Sequence, residues 1–272
     1  MLYLVATPIG HLKDFSVRAV ETLSQCDYIL CEDTRHSATL LNRYEIKAPL
    51  KSFHRFNLKA SEDKILSDLR EGKTIGLISD AGTPLISDPG EELVAACIKE
   101  GLAYTFIPGP CAVTAALVLS GMPCIPFQFL GFLPKQQMAL AEVLEEALLY
   151  SGTTIAYDPP HHIEDTLTLL NELGKERVVS IIREITKKHE ECLRGTPATL
   201  LEHFKTQPPL GEMVLLLSPP QEKPPLPLPE ESFLLSLETH LHLSRKEALK
   251  LAAKLSGCSK KDLYKRLLNN RN

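Results

Sequence analysis

The sequence predicts an α/β protein with a parallel-sheet N-terminal domain, a second domain with a mixed sheet, and a small C-terminal helical module. Short apolar runs alternate with helical patterns along the first part of the chain, which is typical of a mostly parallel sheet. The alternation restarts after Gly-Met-Pro at 121–123, and a proline-rich stretch separates it from a helical tail. We therefore predict domains over residues 1–121 and 122–218, a linker over 219–230, and a helical module over 231–272.

The composition excludes several classes of protein. The chain has 272 residues, of which 44% are hydrophobic and 24% are charged, as in globular domains. Its seven cysteines are odd in number and form no Cys-x-x-Cys pair, which argues against a disulfide framework and a zinc site, so we expect no metal. No apolar run approaches the roughly 20 residues of a membrane span, and the first residues lack the basic start of a signal peptide. We expect a cytoplasmic protein with no membrane partner.

The N-terminal domain is predicted to contain five strands, each followed by a helix. The strands coincide with the apolar runs at residues 2–6, 28–31, 50–53, 74–78 and 103–107. The helices are expected from about residue 14, around Leu40 and Leu41, and at 61–71, 91–100 and 112–120. Asp88 is predicted to cap the fourth helix, with Pro89 as its first residue.

The second domain is predicted to mix strand directions. Strands are expected at residues 127–130, 153–157, 177–183, 190–194 and 213–217. Helices are expected at residues 136–149, 163–173 and 196–204. The runs at 177–183 and 190–194 are interpreted as paired strands, so the sheet should include antiparallel elements.

Three loops that follow strands carry glycine and proline instead of large side chains. They are residues 7–10 (Thr-Pro-Ile-Gly), the long turn at 79–90, and residues 108–111 (Pro-Gly-Pro-Cys). Such loops let a ligand approach the main chain closely, and open α/β sheets bind ligands at the carboxyl ends of their strands. We therefore predict that the three loops form one ligand cleft.

The charge of the chain is concentrated unevenly. The net charge is −4, but residues 228–272 carry nine Lys or Arg against five Asp or Glu, so this part is +4 and the remainder is −8. Ser244 and Glu247 form a capping box that opens one helix, and after a Ser-Gly-Cys turn at 256–258, Ser259 opens a second. Two capped helices with basic residues outside resemble a helix-turn-helix module that contacts a polyanion, whereas a basic dimerisation or stabilising tail is the alternative. The basic residues expected to make the contact are Arg245, Lys246, Lys250, Lys260, Lys261 and Lys265.

Several motifs occur in an order and spacing that resemble one family. They are Val-Ala-Thr-Pro-Ile-Gly at 5–10, Glu-Asp-Thr-Arg-His at 32–36, the twelve residues 79–90, and Ile-Pro-Gly-Pro at 107–110. Over nearly its whole length the chain resembles the RsmI-type methyltransferases, the ribosomal RNA branch of the tetrapyrrole methylase family. The resemblance implies the two-domain tetrapyrrole-methylase-like fold, a homodimer, and S-adenosylmethionine in the cleft. It also implies 2′-O-methylation of a cytidine ribose in the decoding region of 16S rRNA, with 16S rRNA or the small ribosomal subunit as partner, so that the basic tail would be RNA-binding.

The resemblance also implies roles for individual residues. Carried over by position, those that bind the cofactor are Pro8, Ile9, Gly10, Asp80, Gly82, Thr83, Pro110, Cys111, Ala112, Tyr157 and Met213. For catalysis we expect Asp33 to act as proton acceptor or orienter and Arg35 as a phosphate or hydroxyl clamp. An Asp33–Arg35 ion pair that only braces the loop or a dimer interface is the alternative. His54 and Lys187 are weaker candidates for the base.

The sequence departs from the family pattern at several positions. Cys111 stands where serine is usual in the family. Residues 157–162 are Tyr-Asp-Pro-Pro-His-His, whereas the family usually has an acidic residue followed by serine in this motif and an arginine at its end. After Pro134 the family usually has a cluster of Lys and Arg, and this chain has only Lys135 there. The rival interpretations are a methyltransferase that acts on a tetrapyrrole or a modified amino acid, and a non-catalytic RNA-binding assembly protein of the same fold.

Overall fold

The chain forms two compact units, Met1–Pro219 and Pro220–Asn272, in a computed structural model. The structure describes residues 1–53, 58–174, 176–221, 231–255 and 259–269. His54, most of the predicted proline-rich linker and the predicted turn at 256–258 lie outside the described residues. No helix within the described ranges has the length and apolar character needed to cross a membrane.

The first unit contains two sheets, and one of them is parallel throughout. Its strands are β1 (Leu2–Val5), β2 (Tyr28–Cys31), β3 (Leu50–Ser52), β4 (Ile75–Ile78) and β5 (Tyr104–Ile107), in the spatial order β3-β2-β4-β1-β5. β1 lies between β4 and β5, and Val5 aligns with Ile78 on one side and Ile107 on the other. The three strands that precede the glycine- and proline-rich loops are therefore neighbours, and their carboxyl ends lie side by side.

Helices cover both faces of this parallel sheet. They are α1 (Val17–Ser24), α2 (Thr34–Arg43), α3 (Leu58–Arg70) and α4 (Glu91–Glu100), with a short 3-10 helix at Leu12–Asp14. Leu30 and Leu77 belong to the core that includes α3 and α4, whereas Ile29 and Ile78 belong to the core that includes α1 and α2. Burial on both faces explains why the inner strands β2 and β4 are continuous apolar runs, whereas the edge strand β3 is Leu-Lys-Ser.

Two helix starts differ from the sequence prediction. The first α-helix begins at Val17, because the Ser16 hydroxyl accepts a hydrogen bond from Ala19 N at 3.1 Å and so caps it there. The fourth helix spans the predicted range 91–100, but Pro89 is not part of it and its N-cap is Gly90, whose φ of 130° favours glycine. The prediction that Asp88 caps this helix was therefore wrong, and Asp88 remains in the loop.

Helix α5 (Ala112–Ser120) connects the parallel sheet to the second sheet. It follows β5 in the chain, but its buried residues Val113, Ala116 and Leu117 pack with Ile155 and Val214 of the second sheet. The same cluster contains Ile9 of the first glycine- and proline-rich loop, so this loop and α5 pack together against the second sheet.

The second sheet is mixed, as predicted. Its strands are β6 (Phe127–Phe132), β7 (Thr153–Tyr157), β8 (Val179–Arg183), β9 (Glu191–Gly195) and β10 (Met213–Leu217), in the order β6-β7-β10-β8-β9. β6 and β7 are parallel, and the other neighbours are antiparallel. Helices α6 (Gln137–Leu149), α7 (Ile163–Gly174) and α8 (Pro197–Thr206) pack on the face opposite α5, since alternate residues of β10 serve the two cores.

The second unit contains three helices in its described part. They are α9 (Glu231–Leu241), α10 (Arg245–Leu255) and α11 (Lys260–Asn269), of which the sequence predicted the last two in detail. The capping box at α10 is formed, because Ser244 N donates to Glu247 Oε2 at 2.9 Å and Glu247 N donates to Ser244 Oγ at 3.4 Å. A small core includes Leu234, Ala248, Ala252 and Leu263.

Candidate functional site

The first two glycine- and proline-rich loops are joined by main-chain hydrogen bonds. Thr7 N donates to Gly82 O at 2.9 Å, and Gly82 N donates to Thr7 O at 3.1 Å, which forms an isolated antiparallel bridge. The buried Thr7 hydroxyl also donates to Ser79 O at 3.1 Å. Because the two loops follow the adjacent strands β1 and β4, these bonds fix the position of one loop relative to the other.

Gly82 and Thr83 extend this connection to the third loop. Thr83 Oγ1 donates to Pro110 O at 3.0 Å. Gly82 has a φ of 85°, and a Cβ atom there would lie 3.1 Å from Ile9 Cγ2 and 3.6 Å from Pro110 O. Glycine is therefore required at this position by both backbone conformation and space. Cys111 occupies the N-cap of α5 without a side-chain capping bond, so the third loop depends on its main chain.

The first loop also contacts the turn between β8 and β9. His11 N donates to Thr186 Oγ1 at 3.0 Å. A Cβ atom on Gly10 would lie 2.6 Å from both Thr186 Oγ1 and Lys187 Cγ, so the absence of a side chain allows this close approach. The first loop is thus held from two sides, by the second loop and by the β8–β9 turn.

Lys187 braces this turn and does not act as a base. Its Nζ atom lies 3.0 Å from Glu184 Oε1 and 2.9 Å from Glu212 Oε2. Burial opposes the ammonium charge, but hydrogen bonds to Glu212 and Glu184 outweigh it and raise the pKa of Lys187. The side chain therefore stays protonated and cannot accept a proton.

A cavity of about 440 Å³ opens where these loops meet the second sheet, a volume suited to a nucleoside-sized ligand. The predicted cofactor residues that line it are Ile9, Asp80, Ala112, Tyr157 and Met213. The remaining predicted cofactor residues, which belong to the loops without lining the cavity, are Pro8, Gly10, Gly82, Thr83, Pro110 and Cys111. The structure therefore brings the predicted residues together as one lining group and one supporting group.

The cavity is lined by acidic side chains and by no basic ones. Accessible carboxylates come from loops beside both sheets, namely Glu32, Asp80, Asp88 and Glu212, and the lining contains no Lys, Arg or His among the described residues. The other lining residues are mostly apolar, and they include the aromatic rings of Phe132 and Tyr157. Such a lining attracts a cation with an apolar or aromatic part and repels phosphate.

The loop after β2 brings Glu32 to the cavity and keeps Asp33 beside it. Asp33 is the N-cap of α2, and its Oδ1 accepts hydrogen bonds from Arg35 N at 2.8 Å and His36 N at 3.4 Å. These backbone hydrogen bonds lower the pKa of Asp33. Asp33 N also donates to Asp80 Oδ1 at 3.3 Å, which ties this loop to the second one.

The Arg35 side chain projects into solvent next to this loop. It is 92% exposed, and its Nε lies 3.7 Å from Asp33 Oδ1, which is an ion-pair distance without a hydrogen bond. The Arg35 guanidinium is thus accessible to an external anion, while Asp33 is engaged with the start of the helix.

Sequence reasoning did not single out the pair formed by Asp158 and His162. Asp158 directly follows β7, and its Oδ1 lies 2.6 Å from His162 Nδ1. Both side chains are buried, and burial raises the pKa of Asp158 against the opposing hydrogen bonds from His162 and Thr166. The signal that could have identified them is an acid and a histidine at i and i+4 after a strand, which places both on one side of a helix start.

The basic residues predicted to bind RNA lie in the second unit. Arg245 is bonded to Glu238 through Nη1 and Oε1 at 3.1 Å. The other predicted residues are exposed, namely Lys246, Lys250, Lys260, Lys261 and Lys265. Among the residues that the structure describes, no group of three or more His, Cys, Asp or Glu could hold a metal ion.

Comparison with known proteins identifies similar chains over the full length. The family model of the tetrapyrrole (corrin/porphyrin) methylases matches residues 1–201. A ribosomal RNA small subunit methyltransferase I of Halalkalibacterium halodurans is 43% identical over 97% of this chain and 93% of its own length. One of Mesorhizobium japonicum is 41% identical over 98% and 91%. The crystal structure of a diphthine synthase has a TM-score of 0.62 at 13% identity, over 80% of this chain and 90% of that one, which shows a shared fold.

Proposed function

We propose a function for this chain on the basis of its family, since the chain belongs to the tetrapyrrole (corrin/porphyrin) methylases. It is an S-adenosylmethionine-dependent methyltransferase, and its substrate is small-subunit ribosomal RNA, as the relatives are named. The reaction that we infer is 2′-O-methylation of a cytidine ribose in the decoding region of 16S rRNA. The observation that carries the proposal is the full-length match to these relatives, which extends through the C-terminal module beyond the family model.

The cavity fits this cofactor by charge and by the composition of its walls. When bound, S-adenosylmethionine supplies an electrophilic methyl group on a positively charged sulfur. The four accessible carboxylates of the lining complement that charge and the ammonium group, and Asp80 can also accept hydrogen bonds from hydroxyl groups. The walls at Tyr157 and Met213 offer apolar surface and main-chain groups for an adenine. The three joined loops hold these groups in place, so little reorganisation is needed when the reactants meet.

The acidic lining also determines which part of the RNA can enter. A phosphate group inside the cavity would face several carboxylates and no basic side chain of the lining, so the backbone must stay outside. A nucleoside turned out of the RNA stack can enter without its phosphates. Arg35, which is 92% exposed and follows the lining residue Glu32 by three positions, would hold a phosphate outside the cavity in this proposal, and this is the clamp role expected from the sequence.

The ribose hydroxyl must give up its proton when it is methylated, and a carboxylate at the cavity can accept it. Glu32 lines the cavity and lies on the predicted catalytic loop. Asp33 uses Oδ1 to cap α2 and has a lowered pKa, which makes it a weaker proton acceptor. We therefore propose Glu32 as the acceptor and assign Asp33 the orienting role, since it fixes both the start of α2 and the adjacent Asp80.

The RNA surface includes the C-terminal module in this proposal. Its exposed lysines on α10 and α11 supply the positive charge that the cavity lacks. Action on the ribosome would place the protein in the cytoplasm.

We further propose that the protein is a homodimer. Exposed apolar side chains occur on α5, on the edge strands β5 and β6 and on the segment before β6, and include Tyr104, Phe106, Val118, Ile125, Phe127 and Phe132. A second copy of the chain would cover this surface. We expect Val118→Glu, at a side chain that is 74% exposed, to produce a monomer in analytical ultracentrifugation. Ile98→Glu, on an exposed part of α4, should stay dimeric, and a monomeric wild type would contradict the proposal.

The decisive experiment is a map of 2′-O-methyl groups in small-subunit rRNA from a strain that lacks the gene. We expect one cytidine ribose methyl to disappear and to return when purified protein and S-adenosylmethionine are added to the mutant subunits. Free rRNA treated in parallel shows whether the enzyme methylates free rRNA or the assembled subunit. If every ribose methyl persists in the deletion strain, the substrate assignment is wrong. Failure of the purified protein to bind S-adenosylmethionine in calorimetry would reject the enzyme assignment itself.

A further inference from the structure

The turn between β8 and β9, residues 184–190, contains two residues in the left-handed region of backbone conformation. Glu184 has a φ of 50° and Thr186 a φ of 65°. Left-handed backbone suits glycine and costs free energy at other residues, most of all at a β-branched residue such as threonine. Such strain persists only where the surrounding structure imposes it, and it is concentrated at functional sites.

Hydrogen bonds within the turn impose this conformation on Thr186. Thr186 N donates to Glu190 Oε2 at 2.7 Å. On either side of it, Lys187 N donates to Glu184 O at 2.9 Å, and Glu190 N donates to Lys187 O at 3.2 Å. The turn therefore holds Thr186 in place by its main chain and leaves the threonine hydroxyl for a contact outside the turn.

Each of the two strained residues has a side chain that reaches a segment with cavity-lining residues. Thr186 Oγ1 accepts a hydrogen bond from His11 N at 3.0 Å, and His11 follows the lining residue Ile9 by two positions. Glu184 Oε1 accepts a hydrogen bond from Glu212 N at 3.0 Å, and Glu212 itself lines the cavity. The turn thus connects the first loop to the segment that precedes β10.

Ile9 lies between two points at which the first loop is attached. Before it, Thr7 forms the main-chain bridge to Gly82, and after it, His11 is bonded to the turn. Ile9 also belongs to the same hydrophobic cluster as Ile185 of the turn, and both residues line the cavity. Loss of one attachment would let this part of the wall move, and a ligand would then have to bear the entropy cost of ordering it.

We propose that Thr186 is a positioning residue for the cofactor, because its hydroxyl fixes the first loop and so keeps Ile9 in the cavity wall. The inference rests on the proposed function, which places S-adenosylmethionine in this cavity. Thr186 is not among the described lining residues, so it acts through Ile9 and not by contact with the cofactor. In this arrangement the hydroxyl supports ligand binding, whereas the branched side chain at a φ of 65° lowers the stability of the fold.

Three substitutions at this position separate the hydroxyl from the branched side chain. Thr186→Ser keeps the hydroxyl, Thr186→Val keeps the branch, and Thr186→Gly lacks both and suits the observed φ. Calorimetric titration with S-adenosylhomocysteine should show an affinity within about twofold of the wild type for Thr186→Ser. Thr186→Val and Thr186→Gly should both bind about 3- to 10-fold more weakly, the range expected for one neutral hydrogen bond.

Thermal unfolding without ligand should order the same variants differently. Thr186→Val retains the backbone strain and loses the hydrogen bond, so it should have the lowest thermal midpoint. Thr186→Gly relieves the strain and should unfold about 2–4 °C above Thr186→Val, although both bind the ligand weakly. Because it relieves strain, Thr186→Gly also keeps the test informative if Thr186→Val does not fold.

Thr196→Val is the control for loss of a threonine hydroxyl elsewhere in the second sheet's half of the unit. Thr196 is the N-cap of α8, where its Oγ1 accepts a hydrogen bond from Thr199 N at 3.3 Å, and it is not among the described lining residues. Loss of this cap should lower the thermal midpoint and leave the affinity for S-adenosylhomocysteine unchanged.

The two measurements together decide the inference. It is overturned if Thr186→Val and Thr186→Gly bind S-adenosylhomocysteine as tightly as the wild type, if Thr186→Ser binds as weakly as Thr186→Val, or if affinity follows the thermal midpoint through all the variants, Thr196→Val included. Absence of any binding of S-adenosylhomocysteine to the wild type would instead reject the proposed function.

Discussion

The substitution Gly82→Ala tests whether the three joined loops form the cofactor site. Gly82 has a φ of 85°, where an alanine costs about 1–2 kcal/mol compared with ordinary backbone. The added Cβ would lie 3.1 Å from Ile9 Cγ2, closer than the roughly 3.5–4.0 Å of an ordinary carbon contact, so Ile9 must retreat by about 0.4 Å. Because Ile9 lines the cavity, we expect the affinity for S-adenosylmethionine to fall about tenfold, which equals about 1.4 kcal/mol.

Gly72→Ala is the matched control for this experiment. Gly72 has a φ of 88°, but a Cβ atom there would meet nothing within 4 Å, so the substitution strains the backbone without a new contact. Both variants should lose a few degrees of thermal midpoint, since about 1 kcal/mol shifts a chain of this size by roughly 2–4 °C. Calorimetry should show weaker cofactor binding in Gly82→Ala alone. Equal affinities in the two variants would refute the assignment of these loops to the cofactor.

Three further predictions concern the tail, the proton acceptor and acid stability. Removal of residues 228–272 should weaken RNA binding and flatten its salt dependence in filter-binding assays at several salt concentrations, with cofactor affinity unchanged; unaltered RNA affinity would assign the tail to structure. Glu32→Gln should lower the single-turnover methylation rate about 100-fold and Asp33→Asn by less, and the opposite ranking would favour Asp33 as the base. Hydrogen bonds from Lys73 and Lys64 hold the pKa of Asp68 well below its usual range. The Asp68 carboxylate therefore stabilises the fold at pH values above its pKa in the unfolded chain, which is about 4, and this stabilisation is lost as the pH falls further. Asp68→Asn should therefore lower the thermal midpoint at neutral pH, and a difference from wild type that did not shrink below about pH 4 would contradict this assignment.

The strands and their loops could be predicted because their causes are local. β1, β2 and β4 are short apolar runs, and β2 and β4 are buried along their whole length, as continuous hydrophobicity requires. The three loops were predicted to converge, and the order β4-β1-β5 makes their strands neighbours. The capping box of α10 could be predicted because Ser244 and Glu247 are three positions apart.

Other features depend on contacts that are distant in the chain. Thr83 and Pro110 are 27 positions apart, and only the folded structure shows that the hydroxyl of one reaches the carbonyl of the other. The cap of α4 was misassigned because the sequence pattern at Asp88 and Pro89 is that of a cap, whereas Gly90, with a φ of 130°, occupies the N-cap in the structure.

The main-chain bonds that join Thr7, Gly82 and Pro110 have a consequence for how this site tolerates change. A frame built from peptide groups depends on backbone conformation and on the space around it, and hardly at all on the chemistry of the side chains it carries. Cys111 illustrates this, because its side chain makes no capping bond and can differ from the serine usual in the family without loss of the loop. Alanine substitutions at most loop positions should therefore leave these main-chain hydrogen bonds intact. Substitutions that add a Cβ to a glycine or remove a main-chain donor should disrupt them.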